Sequence, residues 1–271
     1  MSYPQPSHGE LSLYPLPALE SNYIWAIVND RTRQAAIVDP GDADVVLTWL
    51  MQQPTLELTA IIITHHHHDH TDGLAELITR FPALAVYGPN DVAGVTQPLH
   101  DGDTFTVLDQ PARVLATPAH TIDHLCYLIT PQEKSTKPIL LTGDTLFMAG
   151  CGRLFEGTAE QMLRNMERFA ALSPDTAVYA GHEYTLNNLA FALAVEPDNA
   201  AIQEAKARAS AARAEGRATL PSTIGQERRT NPFMRTHEAI VIQAACRHAG
   251  RPAPDDPVHV LAALRHWKDT F

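Results

Sequence analysis

Short apolar runs punctuated by Gly, Pro and Asp fill the first two thirds of the chain. They cover 22–28, 35–38, 58–63, 84–87, 104–108, 113–117, 124–129, 138–141 and 177–180, and their length and β-branched content predict strands. Ile61, Ile62 and Ile63 are apolar in succession, as in a strand covered on both faces. Helical patterns lie between these runs: 43–51 behind the candidate N-cap Asp42, then 72–80, then 158–172 opened by Gly157-Thr158. Strands interleaved with helices predict an α/β layer structure. After Tyr184 the texture changes. The segments 185–195, 199–215, 236–249 and 257–267 read as helices, broken at Pro197, Gly216, Pro221, Gly250 and Pro254, and no further strand run is expected. The pattern therefore predicts a mixed domain over 1–184 and a helical one over 185–271.

Composition narrows the classes. Of 271 residues, 45 % are hydrophobic and 19 % charged, as in a globular protein. No apolar run approaches the ~20 residues that span a bilayer, so no membrane association is expected. The opening MSYPQPSHGELS lacks a basic stretch followed by an apolar one, so no secretion signal is expected and the cytoplasm is the expected location. Cys126, Cys151 and Cys246 are scattered and show no CxxC spacing, which predicts reduced thiols and no cysteine zinc site. The net charge of −11 is uneven: residues 1–200 carry 9 Lys and Arg against 24 Asp and Glu, and residues 201–271 carry 11 against 7. The acidic body argues against nucleic-acid binding, and the basic tail could attract a small anion. Nothing in the pattern requires association, so a monomer is expected.

The chemistry concentrates in Ile63-Thr64-His65-His66-His67-His68-Asp69-His70-Thr71-Asp72-Gly73, between an apolar strand and a helix. His65 and His67 are two apart, so in an extended segment they project to one side. Asp69 and His70 follow as the chain turns into the helix. His66 and His68 point away from that pair and read as surface or supporting residues. Imidazole and carboxylate suit zinc, and also Fe or Mn. Two pairs cannot close two cation sites, and three further residues each follow a strand: His120 in Thr117-Pro118-Ala119-His120, Asp144 in Thr142-Gly143-Asp144, and His182 in Ala180-Gly181-His182. Each alone is an ordinary buried polar residue; together they predict a two-metal centre. Asp123 and His124 either orient ligands or pack.

The HxHxDH loop with later His, Asp and His resembles the metallo-β-lactamase superfamily. Ala149-Gly150-Cys151-Gly152-Arg153-Leu154-Phe155-Glu156-Gly157-Thr158, Gly181-His182-Glu183-Tyr184-Thr185-Leu186-Asn187-Asn188, Asn231-Pro232-Phe233-Met234-Arg235 and Arg265-His266-Trp267-Lys268-Asp269-Thr270-Phe271 extend the likeness to the hydroxyacylglutathione hydrolase (glyoxalase II) family, from about Pro15 to the last residue. The resemblance implies an αβ/βα four-layer sandwich followed by an all-helical glutathione-binding domain. It implies that His65, His67 and His120 hold one metal, that Asp69, His70 and His182 hold the other, and that Asp144 bridges them. It also implies that Arg265 and Lys268 meet the glycyl carboxylate of glutathione, with Tyr184, Asn188, Arg153 and Phe155 on the tripeptide. Arg153 stands where some members carry Lys, and Phe155 where some carry Tyr. The implied reaction converts S-D-lactoylglutathione to glutathione and D-lactate, the second step of methylglyoxal detoxification.

The residues agree with that chemistry. A metal pair lowers the pKa of a shared water towards ~7, so a metal-bound hydroxide is the expected nucleophile, with Asp69 and Asp144 among the ligands as the catalytic residues. A thiolate leaving group, with a conjugate acid near pKa ~8.5, departs without a strong general acid. Other readings are less consistent. A one-iron persulfide dioxygenase usually lacks the long helical tail, and a β-lactamase of this type has Cys where Asp144 stands. A nuclease would need a basic surface, and a purely structural protein would have no use for an open two-metal site.

Overall fold

The computed structural model describes residues 7–133, 136–250 and 256–271; the break expected at Pro254 and the start of the N-terminal segment lie outside them. The chain forms two compact units that interleave in sequence. One takes Met1–Ala116, Asp123–Gly143 and Tyr179–Glu183, and the other takes Thr117–Ile122, Asp144–Val178 and Tyr184–Phe271.

The first unit holds a seven-stranded mixed sheet whose spatial order follows the sequence: β1 (Ser7–His8), β2 (Leu11–Ala18), β3 (Asn22–Asn29), β4 (Gln34–Val38), β5 (Glu57–Ile62), β6 (Ala85–Gly88) and β7 (Gln97–Pro98). The strands pair antiparallel as far as β4 and parallel from β4 to β7. Helices α1 (Ala43–Met51), α2 (His68–Thr71) and α3 (Leu74–Arg80) lie between them. Asp42 caps α1 by accepting from the Asp44 and Val45 amides. All of β3 is buried, and alternation divides its work. Ile24, Ala26 and Val28 join Ala43, Val46, Leu74 and Leu77 in one apolar cluster beneath the helices. Trp25, on the other face, donates to the Ala180 carbonyl at 2.9 Å and meets the Tyr179 ring edge-on. That face looks onto a second sheet, in which β8 (Thr104–Val107), β9 (Gln110–Ala116), β10 (Leu125–Ile129), β11 (Ile139–Gly143) and the end of β14 (Ala177–Ala180) lie side by side. Tyr127 of β10 donates to the Ile63 carbonyl at 2.6 Å and so fixes the strand end that leads into the histidine loop.

The second unit begins with the hairpin β12 (Leu146–Phe147) and β13 (Gly150–Cys151), followed by α4 (Ala159–Ala170). Thr158 and Gln161 form a reciprocal capping box at the start of α4. The tail supplies α5 (Thr185–Val195), α6 (Ala200–Ala214), β15 (Ser222–Thr223), α7 (Ile224–Thr230), a 3₁₀ turn over Pro232–Met234, α8 (Ala239–Ala249) and α9 (Pro257–Asp269). Phe191, Phe233, Ile224 and Leu264 are fully buried among these helices.

The expected strands and helices are present, with shifted ends, and several short elements were not anticipated, of which three are instructive. Strand β2 contains Pro15 and Pro17, which ordinarily argue against a strand. Among the described residues β2 pairs beyond Ser12 only with β3, and the two prolines share one parity in that register, so their missing N–H groups can both face away from the β3 ladder. The expectation of no strand after Tyr184 is corrected by β15, whose two residues pair with Ala177 and Val178. Helix α7 was hidden by its shortness and by Gly225. The helix expected over 72–80 is α3, which starts at Leu74, and the separate short helix α2 precedes it where the loop turns at Asp69.

One close approach shapes that loop. A Cβ on Gly41 would stand 1.9 Å from the Asp69 carbonyl oxygen. Gly41→Ala therefore displaces the Asp69 backbone and is expected to cost about 1–3 kcal/mol in urea unfolding, with weaker metal retention against a chelator. A variant with unchanged unfolding and metal retention would show that the loop accommodates the methyl.

Candidate metal centre

Every candidate ligand follows a strand end or the loop behind it. His65 and His67 leave β5 in extended backbone, and Asp69 and His70 sit on α2. His182 follows β14, where the Tyr23 amide donates to Gly181 and the Glu183 amide donates to Ser21. In the second unit Asp144 precedes β12 and His120 lies in the 117–122 loop. All are buried except Asp69 and His67, which are half-buried.

The ring nitrogens have defined roles. Thr64 Oγ1 donates to Asp39 Oδ2 at 2.7 Å, so it accepts from His65 Nδ1 at 3.0 Å. His70 Nδ1 donates to Asp39 Oδ2 at 3.0 Å. His182 Nδ1 lies 3.0 Å from Ser21 Oγ, and His120 Nδ1 donates to the Arg153 carbonyl at 3.0 Å. With Nδ1 protonated and held, Nε2 of His65, His70 and His120 presents a lone pair, and His182 Nε2 does so when its Nδ1 donates to Ser21.

Those lone pairs converge. In the first unit Asp69 Oδ2 lies 3.5 Å from His70 Nε2 and 3.4 Å from His182 Nε2, and His65 Nε2 faces His67 Nδ1 at 3.1 Å. In the second unit His120 Nε2 lies 3.4 Å from Asp144 Oδ2. Two ligands at about 2.0–2.1 Å from one tetrahedral ion stand about 3.3 Å apart, so each separation is that of ligands sharing a cation. The residues therefore fit a binuclear metal site: Asp69, His70 and His182 form one converging set, and His65 and His67 begin another. When protons rather than a cation sit on Nε2 of His182 and His70, burial pushes the Asp69 carboxyl up, but hydrogen bonds from those two rings and from Asn22, with the charge of His70, outweigh it and hold Asp69 well below the usual carboxylate range.

Sequence reasoning missed Asp39, Thr64, Ser21 and Asn22. Asp39 accepts from the Thr64 amide and hydroxyl and from His70, and Asn22 donates to Asp69 Oδ2 at 2.9 Å. Asp39 carried a readable signal, an acid directly after an apolar strand. His66 reaches Asp123 and His68 is 93 % exposed beside Asp72, so both stand apart from the converging nitrogens. His124 stacks on His65 with ring centroids 4.8 Å apart.

The candidate substrate residues all lie in the second unit. Arg153, Phe155, Arg265 and Asp269 line a cavity of about 420 Å³. Arg153 and Phe155 are exposed, and the Phe155 ring meets His120 edge-on. Arg265 is buried; it donates to the Cys151 carbonyl at 2.8 Å and pairs with Asp269 at 3.0 Å. Lys268 is bonded to Asn187, and burial and the nearby charge of Arg265 bring its ammonium down to about 8. Tyr184 is exposed against Phe147, and buried Asn188 donates to the Met148 carbonyl.

Comparisons with known proteins agree with this architecture. Residues 19–182 match the model of the metallo-beta-lactamase superfamily, and residues 183–271 match that of the hydroxyacylglutathione hydrolase C-terminus. A hydroxyacylglutathione hydrolase of Pseudomonas putida is 48 % identical over 94 % of this chain and 98 % of its own. One from Vibrio cholerae is 44 % identical over 96 % of this chain and 100 % of its own. Among solved structures, ETHE1 from Myxococcus xanthus superposes with a TM-score of 0.63 at 25 % identity, covering 95 % of this chain and 99 % of that one. The fold is that of the metallo-β-lactamases, mixed sheets with helices, followed by a helical region.

Asp39→Asn takes away the full charge behind His70 and one acceptor shared with Thr64. It is expected to weaken metal binding by about 10–100-fold, read by chelator competition. Wild-type metal retention in that variant would remove Asp39 from the account.

Proposed function

The chain belongs to the hydroxyacylglutathione hydrolase family of the metallo-β-lactamase superfamily, and from that premise we propose that it hydrolyses S-(2-hydroxyacyl)glutathione thioesters, S-D-lactoylglutathione foremost, to glutathione and the 2-hydroxy acid. The observation that carries this reading is the set of imidazoles held by Nδ1 with Nε2 turned towards carboxylates at 3.4–3.5 Å.

Two divalent cations are assigned to His65, His67, Asp69, His70, His120, Asp144 and His182, with Asp144 as the shared ligand. Zinc is the proposed metal, and iron or manganese would use the same donors. When bound, such a pair supplies Lewis acidity to a carbonyl and a lowered pKa to water. The chain's own part is to keep the ligands neutral or anionic as required. Asp39, Thr64, Ser21 and the Arg153 carbonyl hold protons on the far nitrogens, and Asn22 steers Asp69. The leaving thiolate requires no strong acid from the protein.

The tripeptide is assigned to the second unit. On this reading Arg265 and Lys268 would meet its glycyl carboxylate and Arg153, Phe155, Tyr184 and Asn188 the rest of it; in support, Arg153, Phe155 and Arg265 share one cavity wall. The division into a catalytic domain over 1–184 and a glutathione-binding domain over 185–271 belongs to the same reading, and the family models meet at 182/183. A monomer in the cytoplasm is proposed. No helix among the described residues is long and apolar enough to cross a membrane, and the three cysteines are unbridged. The acidic body makes nucleic acid an unsuitable partner.

Loss of thioester absorbance from S-D-lactoylglutathione is the direct assay, with an expected kcat/KM in the range of about 10⁴–10⁸ M⁻¹s⁻¹. Absence of turnover by metal-replete protein would overturn the assignment. Lys268→Ala is expected to raise KM about 10-fold with metal content intact, since a charge-assisted hydrogen bond is lost. An unchanged KM would take Lys268 out of the site.

A further inference from the structure

The backbone pairing of hairpin β12–β13 is supplemented by a set of side chains. Asn231 Nδ2 donates to the Gly150 carbonyl at 2.9 Å and to the Phe147 carbonyl at 3.4 Å. Asn188 Nδ2 donates to Met148 O at 3.1 Å, and Arg265 donates to Cys151 O at 2.8 Å. Among these side-chain contacts the one acceptor is Glu227, whose Oε2 takes the Ala149 amide at 2.7 Å and Asn231 Nδ2 at 3.0 Å. Glu227 thereby sets which way the Asn231 amide points, and Asn231 Oδ1 accepts from Phe233 N at 3.1 Å. Ala149 has φ +56°, left-handed backbone that a residue with a Cβ adopts at a cost of about 1–2 kcal/mol unless its surroundings hold it.

The same hairpin leads to two of the assigned ligands. Gly152 N donates to Thr145 O at 3.2 Å, and a Cβ on Gly152 would stand 2.0 Å from Asp144 O, so the two chain segments are pressed together. The next carbonyl, that of Arg153, accepts the His120 Nδ1 proton, and Phe155 N donates to His120 O at 3.3 Å. A shift of the hairpin therefore moves the backbone behind Asp144 and the acceptor that orients His120.

Glu227 is a poor choice for stability alone. It is fully buried, its Oε1 has no hydrogen-bond partner among the described residues, and burial pushes its carboxyl up to about 7 against the pull of Ser222, Ala149 and Asn231. An apolar side chain of similar volume would avoid that desolvation cost. What the carboxylate supplies is a grip on a strained backbone amide.

We propose that Glu227 is a positioning residue for the reaction: by holding Ala149 N and aligning Asn231 it fixes the Phe147–Cys151 hairpin, and through it the orientation of His120 and Asp144. This rests on the reading that those two are metal ligands.

The test compares full-length, metal-loaded wild type with Glu227→Ala, Glu227→Asp and Glu227→Gln, each assayed for metal equivalents under chelator competition, for kcat and KM separately, and for urea unfolding. Glu227→Ala and Glu227→Asp are expected to release one equivalent at about 10-fold lower chelator and to lose about 10-fold or more in kcat, as when the partner behind a ligand is removed. KM is expected to move less than kcat. Glu227→Gln keeps a carbonyl oxygen for Ala149 N and is expected to restore both readouts. If Glu227→Ala does not fold, Glu227→Asp, which retracts the carboxylate by one methylene, decides. Variants that unfold more easily but keep the wild-type chelator curve and kcat would overturn the proposal, because that is the result of a purely structural role. Wild type without metal or thioesterase activity would instead sink the ligand reading on which it rests.

Discussion

An imidazole offers a lone pair to a cation only when its proton is kept on the other nitrogen, and that constraint organises this protein. His65, His70, His182 and His120 each have Nδ1 against an oxygen 3.0 Å away. Each such oxygen sits at the end of an element that the fold holds in place: Thr64 after β5, Asp39 after β4, Ser21 before β3 and Arg153 after β13. The apolar strands are therefore more than a core. They set the oxygens that face the four rings, and ligand geometry tolerates only about 0.5 Å of misplacement.

Asp39 shows how costly groups become useful when shared. It is buried and adopts φ +51°, both unfavourable for an acid with a Cβ. Its two oxygens take the Thr64 amide, the Thr64 hydroxyl and the His70 ring, so one carboxylate orients ligands on two segments. Glu227 plays a comparable part in the second unit, where a buried carboxylate serves a backbone amide instead of a ring. In both cases the stabilising term is the set of donors the carboxylate satisfies, without which its burial would be strongly unfavourable.

Local rules made much of this visible. The period-two spacing of His65 and His67, the N-caps at Asp42 and Thr158, and a polar residue after each of several apolar runs are short-range signals, and the strands and helices they mark are present. What stayed hidden is long-range. Ser21 lies 161 positions from His182, and Glu227 lies 78 from Ala149, so no periodicity connects them. β2 was masked by its prolines, whose missing N–H groups can face away from the β3 ladder, and β15 is too short to leave a pattern. Arg265 is expected from the resemblance on a substrate carboxylate, yet its guanidinium is turned onto the Cys151 carbonyl and Asp269, because only tertiary packing decides what a cation on α9 meets.

The account turns on whether these side chains hold a pair of cations. Elemental analysis of the purified protein, loaded with zinc and then freed of loosely bound ions, gives the number of equivalents per chain. The account predicts two. One equivalent or none, in protein that unfolds cooperatively and is therefore native, would contradict it.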